Sequence, residues 1–135
     1  CIMMRSRGII VIVDDHRHSC DALKIMLQMN GFTPYCAHDT DSALVLIDSV
    51  KPAVILLDYC VPGSLSTVAL ANEILSRKIS TEIILASGVS NPAEKAAAMK
   101  LRHVIQKPFD YDKLLRLVRS LCPATTALAE RGSAI

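Results

Sequence analysis

The sequence predicts an α/β fold, a doubly wound sheet of five parallel strands covered by helices on both faces. Short runs rich in Val, Ile and Leu alternate five times with longer segments whose apolar residues recur at helical spacing. Several of the short runs are apolar throughout, as expected for strands buried on both faces of a parallel sheet. Because crossovers between parallel strands are right-handed, the helices fall on both sides of such a sheet and give three layers.

The first half of the chain is predicted to form three strands and two helices. Ile9–Val13 is a β-branched run typical of a buried strand. Residues 17–29 carry apolar side chains at helical spacing, and the Asn-Gly pair that follows ends this helix. Residues 33–38 predict a second strand. The polar residues 39–41 cap a second helix, a Lys-Pro pair ends it, and residues 53–57 predict a third, apolar strand.

The second half is predicted to form two strands and three helices. A Pro-Gly turn leads to a helix over 66–77, and residues 82–86 predict a fourth strand. The Ala-rich segment 92–100 predicts a fourth helix with a proline in its first turn, and residues 102–106 predict the fifth strand. Asp110 is placed to cap the last helix. The side chains that the third helix is expected to bury are Val68, Ala71, Ile74 and Leu75.

One domain accounts for a chain of this length. Its 135 residues are too few for two domains of ordinary size, and hydrophobic residues make up 51%, enough for a core. We expect the domain to span residues 8–122, with an N-terminal extension over 1–7 and a disordered tail or linker over 123–135. A tail of that length is too short to fold as an output domain.

The composition excludes several classes of function. The net charge is +2, aromatic residues make up 4% and Trp is absent, which argues against direct nucleic-acid binding by this domain. The longest apolar runs are far shorter than a membrane span, and no charged segment followed by a long apolar stretch opens the chain, so we do not expect secretion. The five cysteines include no CxxC pair. A reducing compartment fits this pattern, so we expect a cytoplasmic protein without membrane association.

Polar side chains follow four of the predicted strands. Asp14 and Asp15 follow the first strand, Asp58 the third, Ser87 the fourth and Lys107 the fifth. Ligands of open α/β sheets bind at the carboxyl ends of the strands, so these side chains are expected to meet. Three carboxylates repel one another unless a cation lies between them, and an all-oxygen set favours Mg²⁺ or Mn²⁺. Lysine and serine suit phosphoryl oxygens, so the group suits phosphoryl transfer.

Four motifs at these strand ends resemble the receiver domain of two-component response regulators. They are Val11-Ile12-Val13-Asp14-Asp15, Leu56-Leu57-Asp58 followed by Pro62, Ala86-Ser87-Gly88, and Gln106-Lys107-Pro108-Phe109. Each motif is weak alone, but all four in this order are a specific signal. The resemblance covers residues 8–122 and implies the flavodoxin-like, CheY-like (βα)5 three-layer sandwich of that family.

The resemblance implies a phosphoacceptor and a magnesium site. Asp58 would be the nucleophile that accepts a phosphoryl group from the phosphohistidine of a kinase. Asp15 would bind Mg²⁺ directly beside Asp58, and Asp14 would assist through a water molecule. The backbone carbonyl of Cys60 would be the third protein ligand. The cofactor implied is therefore Mg²⁺.

The resemblance also implies how phosphorylation would change the surface of the domain. Lys107 would contact the acyl phosphate, Ser87 would move to hydrogen-bond it, and the Lys107–Pro108 bond is commonly cis in this family. The added charge would bias an adjoining partner-binding surface between two states. The implied partners are a sensor histidine kinase or phosphotransfer protein and a downstream protein partner, and a phosphorylation-dependent dimer is a further expectation. The chain is expected to be a stand-alone regulator or one part of a longer regulator or hybrid kinase.

Charge is distributed unevenly along the chain. Residues 91–122 carry seven basic and three acidic side chains, whereas residues 1–60 carry five and seven. One interpretation is a docking face on the fourth helix, fifth strand and fifth helix, the surface that receivers commonly use. The other interpretation is an ordinary solvated face.

Four positions depart from the family pattern. Val104 stands where receivers usually carry an aromatic switch residue, and Val61 stands where Met is usual. Ser66 occupies a position where glycine is common, with Gly63 earlier, so the loop after the acceptor is expected to take its own shape. Cys60, two positions beyond the acceptor, is poor at orienting a hydrolytic water. We therefore expect slow self-dephosphorylation.

Three other functions stay open. A degenerate receiver would act as a scaffold without phosphoryl chemistry. A Mg²⁺-dependent aspartyl-phosphate hydrolase would use the same nucleophile, but such enzymes typically place an acid two residues beyond it, where this chain has Cys60. A flavodoxin-like cofactor binder would need a phosphate loop after the first strand, where Asp14 and Asp15 would repel an anion.

Simpler roles compete with some of these assignments. The aspartate pair after the first strand could cap the first helix. His16, His18 and Cys20 suggest a zinc clip only weakly, because alternate positions of a helix do not face each other. The cysteines are expected to be small core residues at Cys20, Cys36 and Cys122 and a partly buried, inert thiol at Cys60.

Overall fold

Five strands and five helices alternate along the chain. The structure, a computed structural model, describes residues 8–77, 80–88 and 92–122, so the expected extension over 1–7 and tail over 123–135 lie outside the described residues. The strands are β1 (Ile9–Val13), β2 (Thr33–Ala37), β3 (Val54–Asp58), β4 (Glu82–Ser87) and β5 (His103–Gln106). The helices are α1 (Arg17–Met29), α2 (Thr40–Val50), α3 (Thr67–Ser76), α4 (Pro92–Ala98) and α5 (Tyr111–Leu121). No helix in these described ranges is long and apolar enough to cross a bilayer.

The five strands form one parallel sheet in the order β2-β1-β3-β4-β5. Ile12 of β1 pairs with Cys36 of β2 on one side and with Leu56 of β3 on the other. The chain leaves β1 towards β2 and then crosses back to β3, so the winding direction changes between β1 and β3. This topology confirms the predicted fold class, and the carboxyl edge between β1 and β3 is where such sheets bind ligands.

Alternate residues of the central strands enter two apolar cores. Val11 and Val13 pack with α2, α3 and α4, whereas Ile10 and Ile12 pack with α1 and α5. Each fully buried side chain of this kind contributes about 1.5–3 kcal/mol. Because both faces of the sheet are packed in this way, the carboxyl ends of the strands are held in fixed positions.

Side-chain caps fix the start of three helices. Asp39, Ser66 and Asp110 accept hydrogen bonds from the backbone N–H groups three residues on, at 2.7, 3.0 and 3.2 Å. A cap of this type contributes about 1 kcal/mol. The predicted caps at Asp39 and Asp110 are confirmed.

The buried face of α3 differs from the predicted one. Val68 and Leu75 are 41% and 43% exposed, so the prediction that both are buried is wrong. Leu70 is buried together with Ala71 and Ile74, which were predicted. Apolar residues cover a wide arc of this helix, so helical spacing alone fits more than one choice of buried face.

Candidate functional site

Four strand ends bring acidic, hydroxyl and basic side chains to one edge of the sheet. Asp14 follows β1 directly, Asp58 is the last residue of β3, Ser87 is the last residue of β4, and Lys107 follows β5. The backbone N–H of Lys107 donates to the carbonyl oxygen of Ser87 at 2.9 Å, which continues the β4–β5 pairing beyond the strand. The carboxyl edge of the sheet therefore carries these four side chains, as the sequence predicts.

Lys107 joins two of the carboxylates. Its Nζ atom lies 3.0 Å from Oδ1 of Asp58 and 3.1 Å from Oδ2 of Asp14. The Lys107–Pro108 peptide bond is cis, and the Nζ atom lies 5.9 Å from the ring centroid of Phe109. The ammonium group thus lies within the carboxylate cluster rather than in bulk solvent.

Burial controls the protonation of this cluster. Asp58 and Asp14 are 7% and 3% exposed. Burial raises the pKa of Asp58, and the carboxylates of Asp14 and Asp15 raise it further, while the Lys107 ammonium lowers it only in part. Burial disfavours the charged form of Lys107, but hydrogen bonds to Asp58 and Asp14 outweigh this and raise its pKa. The cluster therefore pairs a charged lysine with a carboxyl group that is more basic than usual.

Donors for a divalent cation lie at the same place. One carboxylate oxygen each of Asp14, Asp15 and Asp58 and one ring nitrogen of His16 all lie within 4.8 Å of one another. Asp15 is exposed, so a cation held here can keep part of its water shell. Mg²⁺ prefers carboxylate oxygens and usually keeps several waters. The three carboxylate donors fit the cation that the sequence predicts.

His16 is the member of the cluster that the sequence analysis missed. Its Nδ1 atom lies 3.2 Å from Oδ1 of Asp14 and 3.3 Å from Oδ1 of Asp15. Its backbone N–H donates to the same Asp14 oxygen at 2.9 Å. His16 is also the N-cap of α1, but its side chain makes no capping bond. Its position in the sequence, directly after Asp14 and Asp15, is the signal that could have placed it in the cluster.

The residues that suggested a zinc clip are not brought together. The Cys20 thiol is buried beneath α1, where it lies 3.4 Å from the carbonyl oxygen of Asp14, whereas His18 is exposed. Within the described residues, the one cluster of three or more such ligands is the group around Asp58. Cys20 belongs to the core, as predicted, and so does Cys122, where burial raises the pKa of the thiol to about 11.

The loop from β3 to α3 is fixed against the start of α2. Gly63 has φ 139°, and a Cβ atom there would lie 2.8 Å from the backbone nitrogen of Thr40. Thr40 donates its backbone N–H to the carbonyl of Pro62 and its hydroxyl to the carbonyl of Leu65, both at 2.9 Å. The prediction of a partly buried thiol at Cys60 is wrong, because this residue lies on the exposed side of the loop.

An aromatic ring stands next to Asp58, although position 104 lacks one. Val104 is half-buried and packs against the core beneath α2, α3 and α4. Tyr59, which follows Asp58, packs against the same core, and its ring centroid lies 5.6 Å from the Nζ atom of Lys95 in α4. The sequence analysis assigned no role to Tyr59.

Basic side chains are exposed on α5 and beside β5. Arg102 lies 3.5 Å from Glu82, and Arg119 donates to the side chain of Asn30 at 3.0 Å. These two are therefore paired within the chain. The exposed basic residues of these segments are Lys100, Arg102, Lys113, Arg116 and Arg119.

The sheet order and the acidic edge between β1 and β3 define the class as a flavodoxin-like α/β protein. A model of the response regulator receiver domain family matches residues 10–119. The chain belongs to that family and is a receiver domain of the two-component type.

Several solved structures are similar to this chain. The receiver domain of the Francisella response regulator 1452 is 24% identical, with 87% of this chain and 98% of that chain covered and a TM-score of 0.78. The receiver domain of NtrX from Brucella abortus is 28% identical, with 84% and 98% covered and a TM-score of 0.76. A longer chain of NtrX from the same organism, solved in complex with ATP, is 27% identical with a TM-score of 0.79. The match covers 93% of this chain but spans 29% of that longer one.

Proposed function

We propose that this chain accepts a phosphoryl group on Asp58 from the phosphohistidine of a sensor histidine kinase or phosphotransfer protein. The observation that carries the proposal is the contact of Lys107 with Asp58 at 3.0 Å within a buried acidic cluster. Aspartate is a weak nucleophile towards an anionic phosphoryl group unless neighbouring charges are neutralised. The lysine supplies one such charge at the oxygen that reacts.

The reaction joins one oxygen of the Asp58 carboxylate to phosphorus. The bond from phosphorus to the imidazole nitrogen of the donor breaks, and its electron pair stays on that nitrogen, which then takes up a proton from solvent. Burial and the other carboxylates raise the pKa of Asp58, which makes its oxygens more basic when they are ionised. The Lys107 ammonium is proposed to hold one phosphoryl oxygen after transfer, and the Ser87 hydroxyl to donate to another.

Three carboxylates are proposed to hold the cofactor Mg²⁺. Asp15 and Asp58 would be direct ligands, Asp14 would act through a water molecule, and the backbone carbonyl of Cys60 would complete the protein ligands. The proposal is supported by the grouping of these carboxylate oxygens within 4.8 Å. When bound, Mg²⁺ neutralises charge on the carboxylates and on the phosphoryl oxygens.

Small phosphoryl donors test the chemistry without the natural kinase. The protein is incubated with acetyl phosphate, with and without Mg²⁺, and intact mass spectrometry counts the phosphoryl groups added. We expect one group, which requires Mg²⁺ and is lost in Asp58→Asn. Asp112→Asn changes an exposed aspartate in the first turn of α5 and serves as the matched control. Modification that persists in Asp58→Asn would overturn the acceptor assignment.

The same experiment separates the competing functions. A degenerate receiver acting as a scaffold would gain no phosphoryl group from acetyl phosphate, with or without Mg²⁺. An aspartyl-phosphate hydrolase, given a small phosphate ester, would release many phosphate ions per protein chain rather than gain one lasting phosphoryl group. The exposed thiol at Cys60, where such hydrolases place an acid, supports the receiver over the hydrolase.

The phosphorylated form is proposed to present an altered surface to a downstream protein partner. The new charge would lie beside Ser87 at the end of β4 and beside Lys107 at the end of β5. Lys113 and Arg116 of α5 are exposed, which supports docking at this helix. Direct nucleic-acid or membrane binding is not part of this proposal, and we expect the protein to act in the cytoplasm, with a phosphorylation-dependent dimer as one form of the response.

Charge reversal tests the docking face. Lys113→Glu and Arg116→Glu change exposed residues on α5. We expect both variants to accept phosphoryl groups from acetyl phosphate at the normal rate but to lose affinity for the partner or for a second phosphorylated copy. Unchanged affinity in both variants would favour an ordinary solvated face.

A further inference from the structure

We propose that His16 is a nitrogen ligand of the cation site and shifts its preference from Mg²⁺ towards transition-metal dications such as Mn²⁺ and Co²⁺. The inference rests on the proposed function, since it concerns the same cation. It goes beyond that function because a nitrogen donor changes which metal the receiver selects.

The geometry places the imidazole at ligand spacing. The Nδ1 atom lies 3.2 Å from an oxygen of Asp14 and 3.3 Å from an oxygen of Asp15. Ligands about 2.1 Å from an octahedral ion and adjacent to one another are about 3.0 Å apart. The carboxylate oxygen of Asp58 completes a set in which all donor atoms lie within 4.8 Å, close to the span of one coordination sphere. Small side-chain shifts would bring the imidazole nitrogen and the Asp15 and Asp58 oxygens onto one ion, with Asp14 still bound through a water molecule.

The backbone directs this ring towards the cluster. The N–H of His16 donates to Oδ1 of Asp14 at 2.9 Å, which ties the residue to the buried carboxylate. As the N-cap of α1, His16 has extended backbone angles, φ −88° and ψ 105°, and its side chain makes no capping bond. The imidazole, 72% exposed, is therefore near the carboxylates without a capping role.

The chemistry of the donor determines the selectivity. Carboxylate and carbonyl oxygens suit Mg²⁺ and Mn²⁺, whereas imidazole nitrogen binds Co²⁺, Ni²⁺ and Zn²⁺ well and binds Mg²⁺ poorly. A site with oxygen donors alone should show only a small preference for Mn²⁺ or Co²⁺ over Mg²⁺. The addition of one imidazole should raise the affinity for Mn²⁺ and more so for Co²⁺, and leave the affinity for Mg²⁺ almost unchanged.

The experiment measures binding of the metal alone. Mg²⁺, Mn²⁺ and Co²⁺ are titrated by calorimetry, at one fixed pH, into the full chain and into His16→Asn, His18→Asn and Asp15→Asn. His18 is an exposed histidine in the first turn of α1 and is the matched control. We expect His16→Asn to weaken Co²⁺ binding by about tenfold or more and Mn²⁺ binding by less, with Mg²⁺ binding unchanged. His18→Asn should bind all three metals normally.

Pulsed electron paramagnetic resonance on the Mn²⁺-loaded protein gives an independent reading. A nitrogen ligand produces a hyperfine coupling to Mn²⁺, which we expect in the unmodified protein and in His18→Asn but not in His16→Asn. Absence of nitrogen coupling in the unmodified protein overturns the inference, even if a variant fails to fold. Retention of the coupling in His16→Asn overturns it as well.

The Asp15→Asn variant separates this inference from the proposed function. If Asp15→Asn weakens all three metals and no nitrogen coupling is seen, the acidic cation site stands and the role of His16 is overturned. If Asp15→Asn leaves all three metals unaffected, the cation lies elsewhere and both proposals are overturned.

Discussion

Removal of the Lys107 ammonium should destabilise the metal-free protein by a measurable amount. The Nζ atom lies 3.0 and 3.1 Å from oxygens of Asp58 and Asp14, and the lysine side chain is 23% exposed. At an effective dielectric constant of about 20, each contact has a Coulomb energy of roughly 5 kcal/mol, much of which is offset by lost hydration. Removal of one partner of a buried pair costs about 3–5 kcal/mol. Because this lysine is partly hydrated, we expect Lys107→Met to lower the free energy of unfolding by about 2–4 kcal/mol.

This deficit should depend on pH and on the cation. Removal of Lys107 raises the pKa of Asp58 beyond its already raised value, since the ammonium opposes the effect of burial. A carboxyl whose folded pKa is raised lowers stability once it ionises, so the part of the deficit that comes from Asp58 is smallest in acid and grows as pH rises through the folded pKa. Saturating Mg²⁺ should reduce the deficit, because it supplies positive charge to the same carboxylates.

Urea unfolding followed by far-ultraviolet circular dichroism measures these differences. Lys113→Met removes an exposed lysine of α5 and should change the free energy of unfolding by less than about 0.5 kcal/mol. In the Asp58→Asn background, Lys107→Met should be less destabilising, which isolates the energy of the pair. Equal losses for Lys107→Met and Lys113→Met, or a loss independent of pH between acid and neutral conditions, would refute the reasoning.

Three further changes probe the acceptor and its loop. Asp58→Asn should stabilise the metal-free protein by about 0.5–2 kcal/mol at neutral pH in urea unfolding, because burial raises the pKa of Asp58 and the ionised form is disfavoured. The gain should vanish below about pH 4. Gly63→Ala should destabilise by about 1–3 kcal/mol in the same assay, since φ is 139° and the Cβ would meet the Thr40 backbone. Cys60→Asn should shorten the phosphoryl lifetime, measured by mass spectrometry after removal of acetyl phosphate, by roughly tenfold.

Each of these changes has its own control. Asp112→Asn, on the surface of α5, should not reproduce the stability gain of Asp58→Asn. A Cβ at Gly88 would lie no closer than 3.8 Å to its neighbours, so Gly88→Ala should be tolerated and Gly63→Ala should not. A phosphoryl lifetime of seconds in the unmodified protein would contradict the slow self-dephosphorylation expected from Cys60.

The fold could be predicted from the sequence because local signals and global topology agree. The strand Ile9–Val13 and the helix Arg17–Met29 lie where the apolar pattern placed them. The same pattern could not select the buried face of α3, since Val68 and Leu75 are as apolar as the residues that are buried. Packing against the sheet determines which face is buried, and the sequence of the helix alone does not specify it.

The sequence predicts those residues of the candidate site that lie at the ends of β-strands. Asp14, Asp58 and Lys107 follow β-strands whose order and direction the fold fixes, so their convergence follows from topology. His16 and Tyr59 were missed because their contacts depend on how a loop turns after the strand. The turn at His16 directs its ring towards the carboxylates, and a residue pattern does not specify such a turn.

In the proposed mechanism, coupling between Asp58 and the outer surface has a physical route despite Val104. The Lys107 ammonium contacts Asp58, and its backbone N–H bonds to the carbonyl of Ser87, so one residue joins β3, β4 and β5 at their ends. In the proposed phosphorylated state the lysine would exchange a carboxylate partner for a phosphoryl oxygen. A change in its position would then be transmitted to the β4–β5 pairing through the backbone, without rotation of an aromatic ring. The strands that receive this change are those next to α4 and α5, which is why the basic face is the surface we expect to respond.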